Sequence, residues 1–171
     1  MNKLKLIKQS KLLFNKYNSQ PIYLTFFVTN KCNARCPYCF YWKELDKVKN
    51  ELKLEEIEKL TKNMEPFPNL LLTGGEPFLR KDLAEIINLF YKNNEISYLT
   101  IPTNGIDTPK IVNSTKDILD SYKNLNFLIS ITLDGIEEEH DKMKGKNSFK
   151  NALETYHQLI NLKKMYPLLN V

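Results

Sequence analysis

Three cysteines occupy one short segment of this 171-residue chain, and the sequence contains no others. Cys32, Cys36 and Cys39 are spaced at i, i+4 and i+7, which on a regular helix would place them along one face as small buried residues. Pro37 and the neighbouring asparagines favour an irregular loop instead. Thiolates this close together repel one another unless a cation or cluster holds them. We therefore interpret the segment as a metal-binding loop.

A fourth metal ligand must come from elsewhere, because three thiols do not complete a four-thiolate site. The residues alone leave three arrangements open. Either His140 or His157 closes a zinc site, or a partner chain contributes the ligand, or one position stays open. Catalytic metal centres keep an open position, whereas structural centres do not.

Two adjacent glycines and an acidic residue follow the second predicted strand, in the sequence TGGEP at 73–77. In the simpler interpretation, Gly74 and Gly75 form a tight turn between a strand and a loop. In the other, the absence of side chains lets the backbone approach a ligand closely, and Glu76 adds an acceptor for a cation. We favour ligand binding, because a turn needs one glycine more often than two.

Polar residues also follow the third and fourth predicted strands. Thr103 and Asn104 precede a glycine, and they form either an ordinary turn or a polar lining for a cavity. Ser130, Thr132 and Asp134 alternate with apolar residues, so a period of two places them on one face of the fourth strand. A polar stripe on a strand that should be buried requires a ligand or hydrogen-bonding partners.

Alternating strands and helices position these motifs. Short β-branched or aromatic runs predict strands, and longer periodic runs predict helices, the last with Ser148 as its N-cap. The predicted strands are 22–29, 69–73, 97–102 and 126–133, with a fifth beginning at 170–171, and the predicted helices are 52–64, 82–93, 109–122 and 148–165. This alternation implies an α/β fold with a parallel sheet, in which chemistry gathers at the carboxyl ends of the strands. Every motif described above falls at such an end.

The composition is that of an ordinary globular domain, with 42% hydrophobic and 26% charged residues. No apolar run approaches the roughly 18 residues of a membrane-spanning helix, and there is no pattern of a signal peptide, so we expect a cytoplasmic protein. The net charge of +5 arises within residues 1–20, which contain five lysines and no acid. The remaining residues balance at 20 basic against 20 acidic, so we expect no nucleic-acid partner.

Residues 1–20 predict a basic amphipathic helix that precedes the main domain, with apolar side chains along one stripe and lysines opposite. In one interpretation this helix contacts an acidic membrane surface or an acidic partner. In the interpretation that we favour, it packs its apolar stripe on the domain.

Residues 22–171 resemble the radical S-adenosylmethionine (radical SAM) superfamily. The resemblance rests on the three-cysteine loop in register with GGEP after the second strand, TNG after the third and LDG after the fourth. It implies that Cys32, Cys36 and Cys39 ligate three irons of a four-iron four-sulfur (4Fe-4S) cluster, while the amino and carboxylate groups of SAM chelate the fourth iron. It also implies an enzyme in which one electron, from a donor such as ferredoxin or flavodoxin, cleaves SAM to methionine and a 5'-deoxyadenosyl radical. That radical abstracts hydrogen from a substrate, which the sequence does not identify.

The resemblance further implies contacts with SAM. Lys144 stands where relatives usually carry arginine, and a lysine keeps the charge but cannot reproduce a planar, two-pronged contact with a carboxylate. The other residues that match SAM-contacting positions are Tyr38 for the adenine, Gly74, Gly75 and Glu76 for the ammonium group, and Thr132 on the fourth strand, with Thr103, Asn104, Ser130 and Asp134 as further candidates near the cavity.

A partial TIM-type (β/α) barrel is the fold that the resemblance implies. The sequence supplies the first four βα units of the about six that relatives build. We therefore expect residues 21–171 to be an incomplete core domain with an exposed edge on the fourth strand, either truncated at the C-terminus or paired with a second polypeptide. A function of another class also stays open: a metal-binding protein without catalysis, holding zinc or an iron-sulfur cluster, or an inactive fragment.

Overall fold

The computed structural model describes residues 21–47 and 51–171, so the helix predicted for residues 1–20 lies outside the described residues. Within them, a single sheet contains strands in the order β1-β2-β3-β4-β5, and all neighbours are parallel. The strands are β1 (Tyr23–Thr29), β2 (Asn69–Gly74), β3 (Tyr98–Thr103), β4 (Asn126–Ile131) and β5 (Leu169–Asn170). The helices are α1 (Leu54–Lys62), α2 (Leu83–Asn94), α3 (Thr108–Ser121), α4 (Glu138–Lys144) and α5 (Ser148–Lys163), with a 3-10 turn at Pro77–Leu79.

The two faces of the sheet differ in burial. Along β4, Phe127 and Ile129 are buried, while Leu128 and Ser130 on the opposite face are exposed. The buried strand residues form one core with side chains from α1, α2, α3 and α5. On the other face, Phe27 of β1 remains 49% exposed within the described chain. A parallel sheet in chain order with helices on one face is a partial (β/α) barrel, which confirms the predicted fold class.

The fourth strand is shorter than the sequence predicted. Its pairing with β3 ends at Thr103 opposite Ile131, because β3 itself ends there, so Thr132 and Asp134 lie in the following loop. The edge of β4 that faces away from β3 is also partly covered by another strand. The short strand β5 pairs with β4 through Phe127↔Leu169 and Leu128↔Asn170, so the prediction of an exposed edge was wrong for the first part of β4.

Two helical features differ from the prediction. Helix α4 was not predicted, because its sequence EEHDKMK carries charges all round and offers no apolar stripe. The N-cap of α5 is Asn147, in the left-handed conformation, and not Ser148. The Ser148 hydroxyl instead donates a 3.0 Å hydrogen bond to Asp141 of α4, which joins the two helices.

Among the described residues, no helix is both long enough and apolar enough to cross a membrane.

Candidate functional site

The loops after β1 and β2 are in direct backbone contact. The amide of Gly75 donates to the carbonyl oxygen of Thr29 over 2.9 Å, and the amide of Glu76 donates to that of Lys31 over 2.8 Å. A Cβ on Gly74 would lie 2.1 Å from the Thr29 oxygen, and a Cβ on Gly75 would lie 2.2 Å from the Lys31 oxygen. The glycine pair is therefore needed to bring this loop against the segment that carries the cysteines.

Hydrogen bonds close the cysteine loop on itself. The Asn30 side chain donates to the carbonyl oxygen of Glu44 over 3.1 Å, and the Asn30 carbonyl accepts from the amide of Asp46 over 3.1 Å. Arg35 adds an ion pair with Asp46. These contacts join the two ends of the loop, so the three cysteines between them are held on a short, closed segment.

The three cysteines are free thiols of intermediate exposure, which suits metal ligands better than inert core residues. Burial, with a smaller effect from the Glu76 charge, raises the pKa of the Cys32 thiol, so its thiolate requires a stabilising cation or donor. In the described part of the chain, no three Cys, His, Asp or Glu side chains are grouped to bind one metal ion. A 4Fe-4S cluster makes a different demand, because each thiolate binds a different iron. The three thiols fit such a cluster.

Glu76 lies inside the protein, with 2% of its surface exposed. One carboxylate oxygen accepts from the Thr103 hydroxyl at 2.9 Å and from the Phe78 amide at 3.3 Å, and the other accepts from the Asn104 amide at 2.8 Å. Burial raises the pKa of the Glu76 carboxyl, and these three hydrogen bonds act against that effect. Glu76 therefore connects the loop after β2 to the loop after β3. Its predicted contact with the SAM ammonium group stays a prediction.

Asn104 extends this connection to the cysteine loop. Its side-chain amide donates a 2.7 Å hydrogen bond to Asn33, and its nitrogen lies 4.0 Å from the sulfur of Cys32. The loops that follow β1, β2 and β3 thus meet around Cys32, as the placement of the motifs in the sequence predicted.

The loop after β4 is held by helix α4. Lys144 is buried, and its amino group lies 2.9 Å from the Asp134 carboxylate and 2.7 Å from the carbonyl oxygen of Thr132. The amide of Asp134 donates to Nδ1 of His140 over 3.1 Å, and burial lowers the pKa of that histidine. Lys144 thus has two partners within the chain, and its predicted contact with the SAM carboxylate stays a prediction.

Tyr38, on the cysteine loop, lies close to Asp134 of the loop after β4. Partial burial, followed by a hydrogen bond with Asp134, raises the pKa of the Tyr38 phenol. Burial acts to raise the pKa of Asp134, but hydrogen bonds from Tyr38 and Lys144 outweigh it and hold that pKa below its usual value. Ser130 points to the exposed face of β4, and Thr132 is exposed just beyond the strand. The predicted residues on all four strand ends therefore surround one edge of the sheet.

Arg80 belongs to this framework and was missed from the sequence. Its buried guanidinium donates to the carbonyl oxygens of Val28 at 2.8 Å and Leu52 at 2.6 Å, and pairs with Asp82 at 2.5 Å. It thereby fixes the end of β1 immediately before the cysteine loop. The only signal in the sequence is an arginine shortly after GGEP with an aspartate two positions later, which does not distinguish it from a surface arginine.

The comparison with protein families agrees with this geometry. A family model described as Radical SAM superfamily matches residues 26–165, which include the cysteine loop and the loops after β2, β3 and β4. The chain therefore belongs to the radical SAM superfamily, whose members use a 4Fe-4S cluster and SAM.

Two curated relatives are similar over most of this chain. Fe-coproporphyrin III synthase from Methanosarcina barkeri is 33% identical over 151 residues, covering 85% of this chain and 35% of the relative. GTP 3',8-cyclase from Helicobacter pylori is 32% identical over 148 residues, covering 84% of this chain and 44% of the relative. The chain thus spans less than half the length of either relative.

Solved structures share the fold. A structure of anSMEcpe with bound AdoMet superposes with a TM-score of 0.63 at 22% identity, covering 86% of this chain and 42% of that chain. A second structure, with bound AdoMet and the Cp18Cys peptide, gives a TM-score of 0.59 at 22% identity, covering 85% of this chain and 41% of that chain. These similarities support the partial barrel and carry no argument about the substrate.

Proposed function

We propose that this chain is the cluster-bearing part of a radical SAM enzyme, in which Cys32, Cys36 and Cys39 each bind one iron of a 4Fe-4S cluster. The observation that carries the proposal is the closed three-cysteine loop, which is hydrogen-bonded through Lys31 to Glu76, next to the glycine pair at the end of β2. When bound, the cluster and SAM supply the one-electron cleavage of SAM that generates a radical for hydrogen abstraction. A small one-electron donor such as ferredoxin or flavodoxin is the proposed reductant.

The proposed roles of the surrounding residues follow from their positions. Gly74 and Gly75 keep the loop after β2 close to the cysteine loop and leave its backbone carbonyls accessible to the SAM ammonium group. Tyr38 offers its ring to the adenine from the cysteine loop. Thr132 offers a hydroxyl from the loop after β4, and the Lys144 charge nearby favours the SAM carboxylate.

The substrate is proposed to lie against the exposed face of the sheet. This face combines apolar side chains, such as Phe27 and Leu128, with the hydroxyl of Ser130. GTP 3',8-cyclase, Fe-coproporphyrin III synthase and a peptide-bound anSMEcpe are all similar to this chain, and their names refer to different molecules. We therefore assign no substrate from them.

A non-catalytic metal-binding protein that holds zinc or a cluster is the alternative. One experiment separates the two. The protein is reconstituted anaerobically with iron and sulfide, reduced with dithionite and incubated with SAM, and 5'-deoxyadenosine is quantified. Formation of 5'-deoxyadenosine in the wild type, and its loss in Cys36→Ala, supports the enzyme. Stoichiometric zinc in the isolated protein, with no 5'-deoxyadenosine after reconstitution, contradicts it.

A further inference from the structure

Asn104 presents an amide donor to one of the three cysteine sulfurs. The residue is 8% exposed and stands at the carboxyl end of β3, across the site from the cysteine loop. Its side-chain nitrogen donates to the Asn33 oxygen at 2.7 Å and lies 4.0 Å from the Cys32 sulfur, within reach of a weak N–H···S hydrogen bond. One of the two amide hydrogens serves Asn33, and the other is free for the sulfur.

The orientation of this amide is fixed by the neighbouring chain. The side-chain oxygen of Asn104 accepts a 2.9 Å hydrogen bond from the amide of Ile106. The backbone amide of Asn104 donates to the buried Glu76 carboxylate at 2.8 Å. Rotation of the side-chain amide by half a turn would set its NH2 group against the Ile106 amide and its oxygen against Asn33. The nitrogen must therefore face the cysteine loop.

Cys32 is the sulfur for which such a donor matters. The Cys32 side chain is only partly exposed, so water solvates its ionised sulfur incompletely. The backbone amide of Ala34 approaches the same sulfur at 3.4 Å. Asn104 adds a second donor, which comes from a different strand end.

We propose that Asn104 sets the reduction potential of the cluster by donating an N–H···S hydrogen bond to the Cys32 thiolate, an inference that rests on the proposed function. One-electron reduction adds negative charge that is shared by the cluster and its thiolate sulfurs. A donor to one of these sulfurs stabilises the reduced form more than the oxidised form, and so raises the potential. The electron comes from the external one-electron donor, and Asn104 transfers no proton and breaks no bond.

The test is a redox titration of the reconstituted cluster, monitored by electron paramagnetic resonance (EPR), in the wild type and three variants. Asn104→Ala is expected to bind iron as the wild type does, but with a midpoint potential shifted to a more negative value. Asn104→Asp, which keeps the size and the acceptor for Ile106 while replacing the donor by a negative charge, is expected to shift the potential further in that direction. Asn113→Ala, an exposed residue of α3, is the matched control and is expected to leave the potential unchanged.

The outcomes separate this inference from the function on which it rests. Equal potentials in the wild type and Asn104→Ala, with normal iron content, would overturn the role of Asn104 and leave the proposed function intact. A wild-type protein that assembles no 4Fe-4S cluster would overturn the proposed function, and this inference with it. If Asn104→Ala does not bind iron, the potential of Asn104→Asp decides: a value equal to that of the wild type excludes the role.

Discussion

The amino group of Lys144 lies 2.9 Å from the carboxylate of Asp134, and the lysine side chain is only 3% exposed. The pair joins α4 to the loop after β4, and the carboxylate of Asp134 also lies close to Tyr38 of the cysteine loop. Contacts of Lys144 and His140 thus join a helix with no apolar stripe to the loop after β4, beside the cysteine loop.

Loss of the Lys144 cation should destabilise the fold. Lys144→Met is expected to lower the free energy of unfolding by about 3 kcal/mol, because the Asp134 carboxylate would remain largely buried without its partner. Urea denaturation measures the change. Lys142→Met, on the exposed side of the same helix, is the matched control and should change stability by less than about 0.5 kcal/mol. Equal stability of the two variants would show that the pair does not hold this loop.

Glu76 should contribute to stability through its three hydrogen bonds. Glu76→Gln is expected to lower the free energy of unfolding by about 1–3 kcal/mol. Both oxygens of the Glu76 carboxylate accept hydrogen bonds, and the NH2 group of glutamine cannot accept the bond of the oxygen that it replaces. The exposed Glu85 of α2 provides the control variant Glu85→Gln, which should be close to neutral. If Glu76→Gln unfolds at the same urea concentration as this control, the carboxylate does not connect the loops after β2 and β3.

Asp141 should make stability depend on pH. Its carboxylate accepts hydrogen bonds from the amides of Phe149 and Asn147 and from the Ser148 hydroxyl, and these hold its pKa below the ordinary value of 3.8. Because the folded-state pKa is lowered, the stabilisation is fully present above pH 3.8 and is lost as the pH falls through the folded-state value.

Thermal unfolding of Asp141→Asn and the wild type, measured from pH 7 to pH 3, checks this linkage. The variant is expected to melt at a lower temperature at pH 7, and the difference should narrow as the wild-type carboxyl becomes protonated. A difference that stays constant down to pH 3 would contradict the role of the ionised carboxylate.

Close packing of the loops after β1 and β2 should be required for metal binding. In Gly75→Ala, the new methyl group would meet the Lys31 carbonyl oxygen at 2.2 Å, so the two loops must separate and iron binding should fall strongly. The comparison variant Gly145→Ala also strains the backbone, at φ +120°, but its methyl group meets no atom within 4 Å in the described structure. It is expected to bind iron normally. Similar iron content in both variants, measured after reconstitution, would contradict the need for close approach.

Much of the fold could be predicted because the strands are short apolar runs that end at polar motifs. The end of β4 could not be predicted, because Thr132 and Leu133 continue the alternating pattern of polar and apolar residues in the strand. Pairing stops at Ile131 because β3 has already ended at Thr103, and this depends on the neighbouring strand. Helix α4 was missed for a related reason. Its buried residues are His140 and Lys144, types that are rarely fully buried and give no periodic apolar signal.

The cysteines and strand-end motifs could be located from the sequence, but their mutual contacts could not. Glu76 was predicted as an acceptor for a cation, whereas three donors from the protein itself surround its carboxylate. Two of these donors belong to Thr103 and Asn104, at the carboxyl end of the next strand, and such a contact requires the folded sheet. The same holds for Arg80, whose partners include a carbonyl oxygen 52 positions earlier in the chain.

The central claim is that three thiolates hold a 4Fe-4S cluster with one iron open to SAM. EPR spectroscopy of the reduced, reconstituted protein, with and without SAM, tests it most directly. We predict about four irons and four sulfides per chain and a spectrum that changes on addition of SAM, because in the proposed function SAM binds the iron that has no thiolate. A cluster spectrum that SAM leaves unchanged, or a protein that binds zinc and no cluster, would contradict the claim.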